Sequence, residues 1–131
     1  MPYELSFTKR LQIPDRGHYI NECCVGGDLV VNHLLASVEA RYEDIQTEQE
    51  DWGWFIWFRE GSTRLAIDVF TDDPESGQFR IHLTSRIKRM LVGDKIVDTP
   101  ELEDLRRLVL SELSGWVDGT ITIGSLDEKY Q

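Results

Sequence analysis

Residues 52–58 read Trp-Gly-Trp-Phe-Ile-Trp-Phe, and this segment decides the fold. It holds three of the four tryptophans and two of the five phenylalanines. Aromatic and β-branched residues are enriched in strands, and a short continuous apolar run is typical of a strand buried inside a sheet. We therefore predict a strand over residues 52–59, near the middle of a sheet.

The residues after this strand predict a meander. Glu60-Gly61 is typical of a tight turn, and the apolar residues of 63–71 predict a strand that returns beside the first. Turn-forming residues dominate 71–77, so a third strand is predicted over 78–87. A two-residue loop at Glu60-Gly61 sets the register and therefore the faces of the sheet. The predicted core-face pairs are Trp52–Val69, Trp54–Ile67 and Ile56–Leu65.

The N-terminal segment predicts a hairpin. Apolar residues occupy the odd positions of Tyr3–Ile13, except for Lys9, and polar residues occupy the even positions, which is typical of a strand with one wet face. Pro14–Gly17 is typical of a turn. Tyr19–Val25 follows as a second, less regular strand, and we predict that it pairs with the first.

Two segments predict helices. Apolar residues recur at helical spacing over residues 28–42, where Asp28 is a candidate N-cap. The second helix is predicted to begin at Thr99, as N-cap, with Pro100 at its first position. Its predicted buried stripe is Leu102, Leu105, Val109, Leu113 and Trp116.

Two further segments, Glu43–Asp51 and Thr120–Ile123, are predicted to hold edge strands, whereas residues 86–97 have no clear period. Taken together, residues 1–131 predict a single α+β domain. It has an antiparallel sheet of about five to six strands, built from an N-terminal hairpin and a central meander, with two helices packed on one face.

The charge and hydropathy of the chain limit the classes of partner that we expect it to bind. The formal net charge is −10, from 24 acidic and 14 basic residues. Binding to nucleic acid depends on lysine and arginine at phosphates, so we expect none. No apolar run approaches the roughly 20 residues of a membrane span, and the N-terminus lacks the features of a signal peptide. We therefore predict a cytoplasmic protein with no membrane partner.

Metal and cofactor chemistry is not predicted. His18, His33 and His82 fall on three different elements, with no spacing typical of a metal site. Cys23 and Cys24 are adjacent, so their side chains cannot bridge without severe distortion. We predict two reduced thiols, no bound metal, no cofactor and no catalytic residue.

The second face of the central meander carries the candidate binding site. A strand with one wet face should alternate apolar and polar residues, but residues 52–58 keep large aromatics at both parities. The predicted register also places Trp57 opposite Arg64 as a cation–π pair, and Asp68 near Arg80 and His82. The candidate binding residues are Phe55, Trp57, Arg64, Asp68, Arg80, His82 and Arg86.

Three interpretations of this face remain open. Residues 86–97 or a chain terminus cover it, a protein partner or a second copy covers it, or it lines a small-molecule or catalytic site. Asp68 with His82 is the only acid–base pair that we would name, and a structural cross-strand contact accounts for it.

The sequence favours a small acidic protein that acts through protein–protein contact, including a homodimer, and without catalysis. Toxin-neutralising immunity proteins are similar in size and charge, and in these two properties only. The alternative is a small-molecule-binding or catalytic domain. In that case the arginines would receive a small anionic ligand while Phe55 and Trp57 stack against it.

Overall fold

A computed structural model of the chain describes residues 2–89 and 93–126. The described residues form seven strands, two α-helices and one 3-10 helix at Glu22–Cys24. In chain order the elements are β1 Tyr3–Thr8, α1 Gly27–Arg41, β2 Glu43–Glu50, β3 Gly53–Glu60, β4 Thr63–Asp73, β5 Gln78–Arg89, β6 Gly93–Ile96, α2 Pro100–Ser114 and β7 Asp118–Ser125.

The strands form one antiparallel sheet in the order β2-β3-β4-β5-β1-β7, with β6 paired to β5. The central meander and the N-terminal strand were predicted, and the α+β fold class is confirmed. The described part of the chain has more strands than the five to six expected. The extra strand is β6, which lies in the segment without a clear period.

Both helices pack on one face of the sheet, as predicted. Each helix contributes a stripe of fully buried aliphatic side chains to the core, and the strands supply the opposite layer. The helical stripes are Val30, Leu34 and Val38 on α1, and Leu102, Leu105, Val109 and Leu113 on α2. The sheet side of this core is Leu5, Ile56, Ile67, Val69, Ile81 and Leu83.

The predicted N-terminal hairpin is wrong. β1 lies between β5 and β7, and Tyr19–Val25 forms no strand beside it. The Asn21 side chain accepts a hydrogen bond from the backbone N–H of Cys23, at 2.8 Å, which favours a 3-10 turn over an extended ladder. The edge groups of β1 are instead satisfied by strands that lie far along the sequence.

The register of the meander differs from the prediction by two residues. The loop between β3 and β4 is Gly61-Ser62, so Ile56 lies opposite Ile67 and Trp54 opposite Val69. Because side chains alternate with a period of two, an even shift keeps each of these residues on its predicted face. It does remove the predicted pairing of Trp57 with Arg64, since Trp57 lies opposite Ala66.

Trp52 was predicted on the core face and lies on the other one. It precedes β3, and its ring centroid is 5.3 Å from that of Phe70 and 6.5 Å from that of Phe55. The chain turns at Gly53, whose φ is 152°, and a Cβ there would lie 2.1 Å from the carbonyl oxygen of Val69. Only glycine fits this position, and its conformation takes Trp52 out of the strand alternation.

One of the two predicted helix N-caps is confirmed, and the other is corrected. Thr99 is the N-cap of α2, and its side chain accepts from the backbone N–H of Leu102 at 3.1 Å. Asp28 was predicted as the N-cap of α1, but Gly26 holds that position with a φ of 82°. Asp28 lies in the first turn, where it accepts a hydrogen bond from the Tyr19 hydroxyl.

Candidate functional site

The face of the sheet opposite the helices is called the open face. Cross-strand partners share a face, and the observed register brings all the predicted binding residues to this one. The open face carries Gln46 and Glu48 of β2, Phe55, Trp57 and Arg59 of β3, Arg64, Ala66, Asp68 and Phe70 of β4, Arg80, His82, Thr84 and Arg86 of β5, and Glu4 and Ser6 of β1.

The described residues of 86–97 do not lie over the open face, and the other covering segment considered, a chain terminus, falls partly outside the described residues. The described part of this segment ends β5 and forms β6, and the two strands pair edge to edge through Arg86–Ile96 and Ile87–Lys95. The segment therefore widens the sheet within its own plane.

Aromatic side chains on the open face bury one another. The rings of Phe55 and Trp57 stack with centroids 3.9 Å apart, and Trp52 packs on the other side of Phe55. Phe55 is consequently only 6% exposed, whereas Trp57 is 42% exposed. Neighbouring side chains alone thus bury one of the two predicted aromatics, and the other keeps a large part of its surface in water.

Asp68 anchors the exposed ring. Its Oδ1 accepts a hydrogen bond from Nε1 of Trp57 at 2.9 Å, and the residue is 8% exposed. A hydrogen bond to a carboxylate is stronger than one between neutral groups. The indole is therefore fixed by this bond at its edge and by Phe55 at its face.

His82 lies opposite Asp68 across β4 and β5 and belongs to a second polar group. Its Nε2 is 3.4 Å from Oε1 of Glu4 and 3.3 Å from Nη1 of Arg80. Arg80 also donates from Nε to both carboxylate oxygens of Asp72, each at 3.0 Å. These side chains form a charged cluster on the β1 side of the aromatic rings.

The pKa values within this cluster shift in a direction that keeps the histidine neutral. Burial lowers the pKa of His82, and the nearby Glu4 carboxylate only partly opposes this effect. For Glu4, burial would raise the pKa, but hydrogen bonds from Arg80 and His82 outweigh it and the net pKa is lowered. The carboxylate is thus charged at neutral pH and is held by the arginine.

A concave pocket of about 380 Å³ lies on the open face and is lined by residues of β2, β3, β4 and β5. Trp57 stands between this pocket and the aromatic cluster, and Arg64, Asp68 and Arg86 line it as well. The remaining lining residues are Asp44, Gln46, Phe58, Arg59, Leu65, Ala66 and Thr84. The pocket therefore combines an exposed indole with charged side chains of both signs.

Three arginines form a row at one end of this pocket. Arg59 of β3 lies directly opposite Arg64 of β4, and Arg64 lies directly opposite Arg86 of β5. Arg59 donates to Oδ2 of Asp44 at 2.8 Å and to Oε2 of Glu43 at 3.1 Å. We call Arg59, Arg64 and Arg86 the arginine row.

The structure divides the predicted site residues between two places. Trp57, Arg64, Asp68 and Arg86 line the pocket, whereas Arg80 and His82 belong to the charged cluster with Glu4. Phe55 supports Trp57 from behind. These residues share a face, as predicted, but not one site.

Arg59 is one of the pocket residues that the sequence prediction missed. It has the parity of Phe55 and Trp57, so extending their alternation by one step would have found it. The sequence prediction missed Asp44 for another reason. It has a φ of 55° and lies within the register shift between Glu43 and Gln46, so the alternation of β2 does not reach it.

The described residues contain no group of three or more histidine, cysteine or acidic side chains placed to hold a metal ion. Cys23 is exposed and Cys24 is buried, and both are free thiols. No helix in the described ranges is long and apolar enough to cross a membrane.

No protein-family model matches the chain, and no curated protein or solved structure is significantly similar to it. Functional information therefore comes from its own side chains, and above all from the open face.

Proposed function

We propose that this protein is a binding protein whose open face receives a small organic anion. The charged group of the ligand lies against the arginine row, and its flat apolar part lies against Trp57. The observation that carries the proposal is the arginine row itself, which stands at one end of a pocket beside a half-exposed indole.

The arginine row is unusual in its electrostatics. Like charges placed directly opposite each other on neighbouring strands are destabilising. The chain as a whole carries a net charge of −10, yet the described lining of the pocket has three arginines and two aspartates. An anion at this end would offset the repulsion. Guanidinium groups also present a planar set of donors that matches a carboxylate or phosphate.

The pocket has a suitable size and a suitable apolar wall. Ligand pockets typically enclose roughly 300–1,000 Å³, and this one measures about 380 Å³. Trp57 is 42% exposed beside it, and its ring is already oriented by Phe55 and Asp68. A ring held in place before binding loses little conformational freedom when a ligand stacks on it.

The same contacts support binding rather than catalysis. The Asp68 carboxylate is engaged by Trp57, and the described pocket lining includes Asp68 but not His82. The nearest acid–base pair on this face therefore turns its histidine toward Glu4 and Arg80 instead of toward a ligand. A general base must reach the proton that it abstracts, and this arrangement does not provide that geometry.

A titration followed by nuclear magnetic resonance tests the proposal. The probes are benzoate, phenyl phosphate, inorganic phosphate and the neutral benzamide. The readout is the indole Nε1–H resonance of Trp57, identified by its loss in Trp57→Phe. We expect benzoate or phenyl phosphate to move this resonance in a saturable way. Benzamide should move it far less, because it lacks the charge that the arginines recognise.

Variants separate the arginine row from a general charge effect. Arg64→Gln combined with Arg86→Gln should weaken binding by more than about tenfold, since each removes a charge-assisted contact. Arg107→Gln is the matched control, because this arginine is 70% exposed on α2, away from the open face. Equal binding of benzoate and benzamide, or equal loss in the control, would contradict the proposal.

A second candidate function is contact with a protein partner at the open face. The observation in its favour is the exposed indole of Trp57 next to the arginine row, since tryptophan and arginine are enriched at interface centres. Insensitivity of the Trp57 resonance to every small anion, together with its broadening at high protein concentration, would favour this candidate.

We also propose a cytoplasmic location. Cys23 is an exposed free thiol beside the buried thiol of Cys24, and exposed thiols persist in reducing compartments.

A further inference from the structure

The two edges of the sheet differ sharply in their chemistry. β2 ends the strand order on one side and β7 ends it on the other. β2 carries four acidic residues in eight positions, namely Glu43, Asp44, Glu48 and Glu50. β7 has the same length and a single charged residue, Asp118, at its first position.

An edge strand that lacks protective features can pair with a strand of another chain. Natural sheets usually defend their edges with charges, proline, bulges or short strands, because an edge presents unpaired N–H and C=O groups. Residues 120–123 of β7 read Thr-Ile-Thr-Ile, which is a β-branched run of high strand propensity. Ile123 within it is 47% exposed. The edge is long, nearly uncharged and partly apolar.

We propose that β7 pairs in antiparallel fashion with β7 of a second copy of this chain, so that two sheets join into one across a two-fold axis. This inference concerns a different surface from the anion pocket and does not depend on it. Residues that pair must share a face, which restricts the registers to those that keep parity. The register centred on Thr122 satisfies this condition.

In this register the side chains of the two strands match. Thr122 lies opposite Thr122 of the second copy, and Ile121 lies opposite Ile123 in both directions. Ile121 packs against the margin of the hydrophobic core, and Ile123 lies opposite the fully buried Leu5 across β1. Pairing would therefore continue the core of one copy into the core of the other and cover Ile123. Cross-strand β-branched and Thr–Thr pairs each favour association.

The charge distribution allows a second copy to pair at β7 and disfavours pairing at the β2 edge. Two chains of net charge −10 repel each other, but β7 places no carboxylate opposite another carboxylate in this register. Asp118 lies opposite position 126, at the end of the paired segment. The four acids of β2 remain on the far edge of each copy. An isologous contact of this kind closes as a dimer and leaves no further edge of the same type.

Sedimentation equilibrium of the full chain tests the contact. We expect a reversible monomer–dimer equilibrium for the wild type, and a monomer for Thr122→Lys at the same concentrations, because the change places two lysines opposite each other at the axis. The matched control is Thr47→Lys, an exposed threonine on the other edge strand. This control should dimerise like the wild type.

Cysteine cross-linking tests the register, including the case in which Thr122→Lys fails to fold. In a Cys23→Ser background, Thr122→Cys should form a disulfide-linked dimer under mild oxidation, since directly opposed Cα atoms lie about 4.5–5.5 Å apart. Thr120→Cys is the control. In the proposed register it meets Gly124 of the second copy, and the two introduced thiols are too far apart to bridge.

A wild type that stays monomeric throughout the concentration range would overturn the proposal. So would dimers that Thr47→Lys abolishes and Thr122→Lys leaves intact, because these would place the contact at β2. Equal cross-linking of the two cysteine variants would overturn the register.

Discussion

The two faces of the sheet bury their side chains in different ways. On the core face, aliphatic side chains such as Ile56 and Ile67 are fully buried because α1 and α2 pack over them. On the open face, Phe55 and Asp68 are almost as deeply buried, at 6% and 8% exposure, through contacts with tryptophans of the same face. Burial on the open face therefore requires no covering element.

This difference changes what large aromatics on both faces of a strand imply. Aromatic rings are large enough that Trp52, Phe55 and Trp57, which follow one another along the chain, can shield one another where aliphatic side chains could not. Large aromatic residues at both parities of a strand are therefore weak evidence that a partner covers the sheet. Only Trp57, at the margin of the group, stays exposed enough for a partner or ligand to cover it.

The largest expected effect lies on the core face. Trp54→Ala should lower the free energy of unfolding by about 3–5 kcal/mol, the usual cost of removing a large packed aromatic. Trp54 contacts Gly27 at the start of α1, and its Nε1 donates to the carbonyl of Cys24 at 2.9 Å. Urea unfolding measures the loss. A loss below about 1 kcal/mol would mean that the helices contribute little to this face.

The open face should yield a smaller loss at Phe55, although this ring is more deeply buried than Trp54. Phe55→Ala should cost about 2–3 kcal/mol, because Trp52 and Trp57 can move into the space that the ring leaves. The same urea experiment provides the comparison. If Phe55→Ala costs more than Trp54→Ala, mutual shielding on the open face is as rigid as the helix-covered core.

The attachment of α2 to the core face can be weakened at a single atom. Thr99→Ala removes the hydroxyl that accepts from Leu102 and donates to Oγ of Ser85, at 3.1 and 3.0 Å respectively. We expect a loss of about 1 kcal/mol in the free energy of unfolding, which is typical of a lost N-cap. Thr99→Ser retains the hydroxyl and is the control. A loss of the same size in this variant would assign the effect to packing of the methyl group.

The smallest expected effect is a dependence on pH that is specific to the open face. The pKa of His82 is lowered from its ordinary value of 6.5 because the side chain is buried. The unfolded chain therefore binds the proton more readily, and stability should decrease as the pH falls below about 6.5 toward the folded pKa. The charged neighbours are Glu4, Arg80 and Asp68.

His82→Gln should flatten this part of the stability–pH profile, measured by thermal unfolding between neutral and mildly acidic pH. His18→Gln is the control, because His18 is an exposed histidine away from the open face. A profile that keeps its slope in His82→Gln, or loses it in His18→Gln, would assign the dependence to other groups.

The sequence predicted those features of the fold that depend on local alternation. The faces of β3, β4 and β5 and the cap at Thr99 follow from side-chain period and cap chemistry, which act over a few residues. The register shift between β3 and β4 left the faces intact because it was even, at two residues. The predicted binding residues share one face, and Arg59 is missing from them because the alternation of Phe55 and Trp57 was not followed to the end of the predicted strand.

The remaining features depend on contacts between distant residues or on backbone conformations that leave no periodic trace. Both partners of β1 lie far from it along the chain, so the hairpin rule chose the nearest segment and was wrong. Trp52 changed face because of the conformation of Gly53, and Asp44 reached the pocket through a positive φ. The convergence of the arginine row on one pocket likewise requires the exact register of three strands.

The central position of β1 also has a consequence for how the chain is made. Tyr3 pairs with Leu83 on one side and with Ser125 on the other, so β1 is completed only by strands that are synthesised much later than itself. Closing such long loops costs entropy before any contact repays it, and folding is correspondingly slow. Until then Leu5 and Phe7, both buried in the finished core, remain in water. We therefore expect the unfinished chain to be prone to aggregation until β1 is paired.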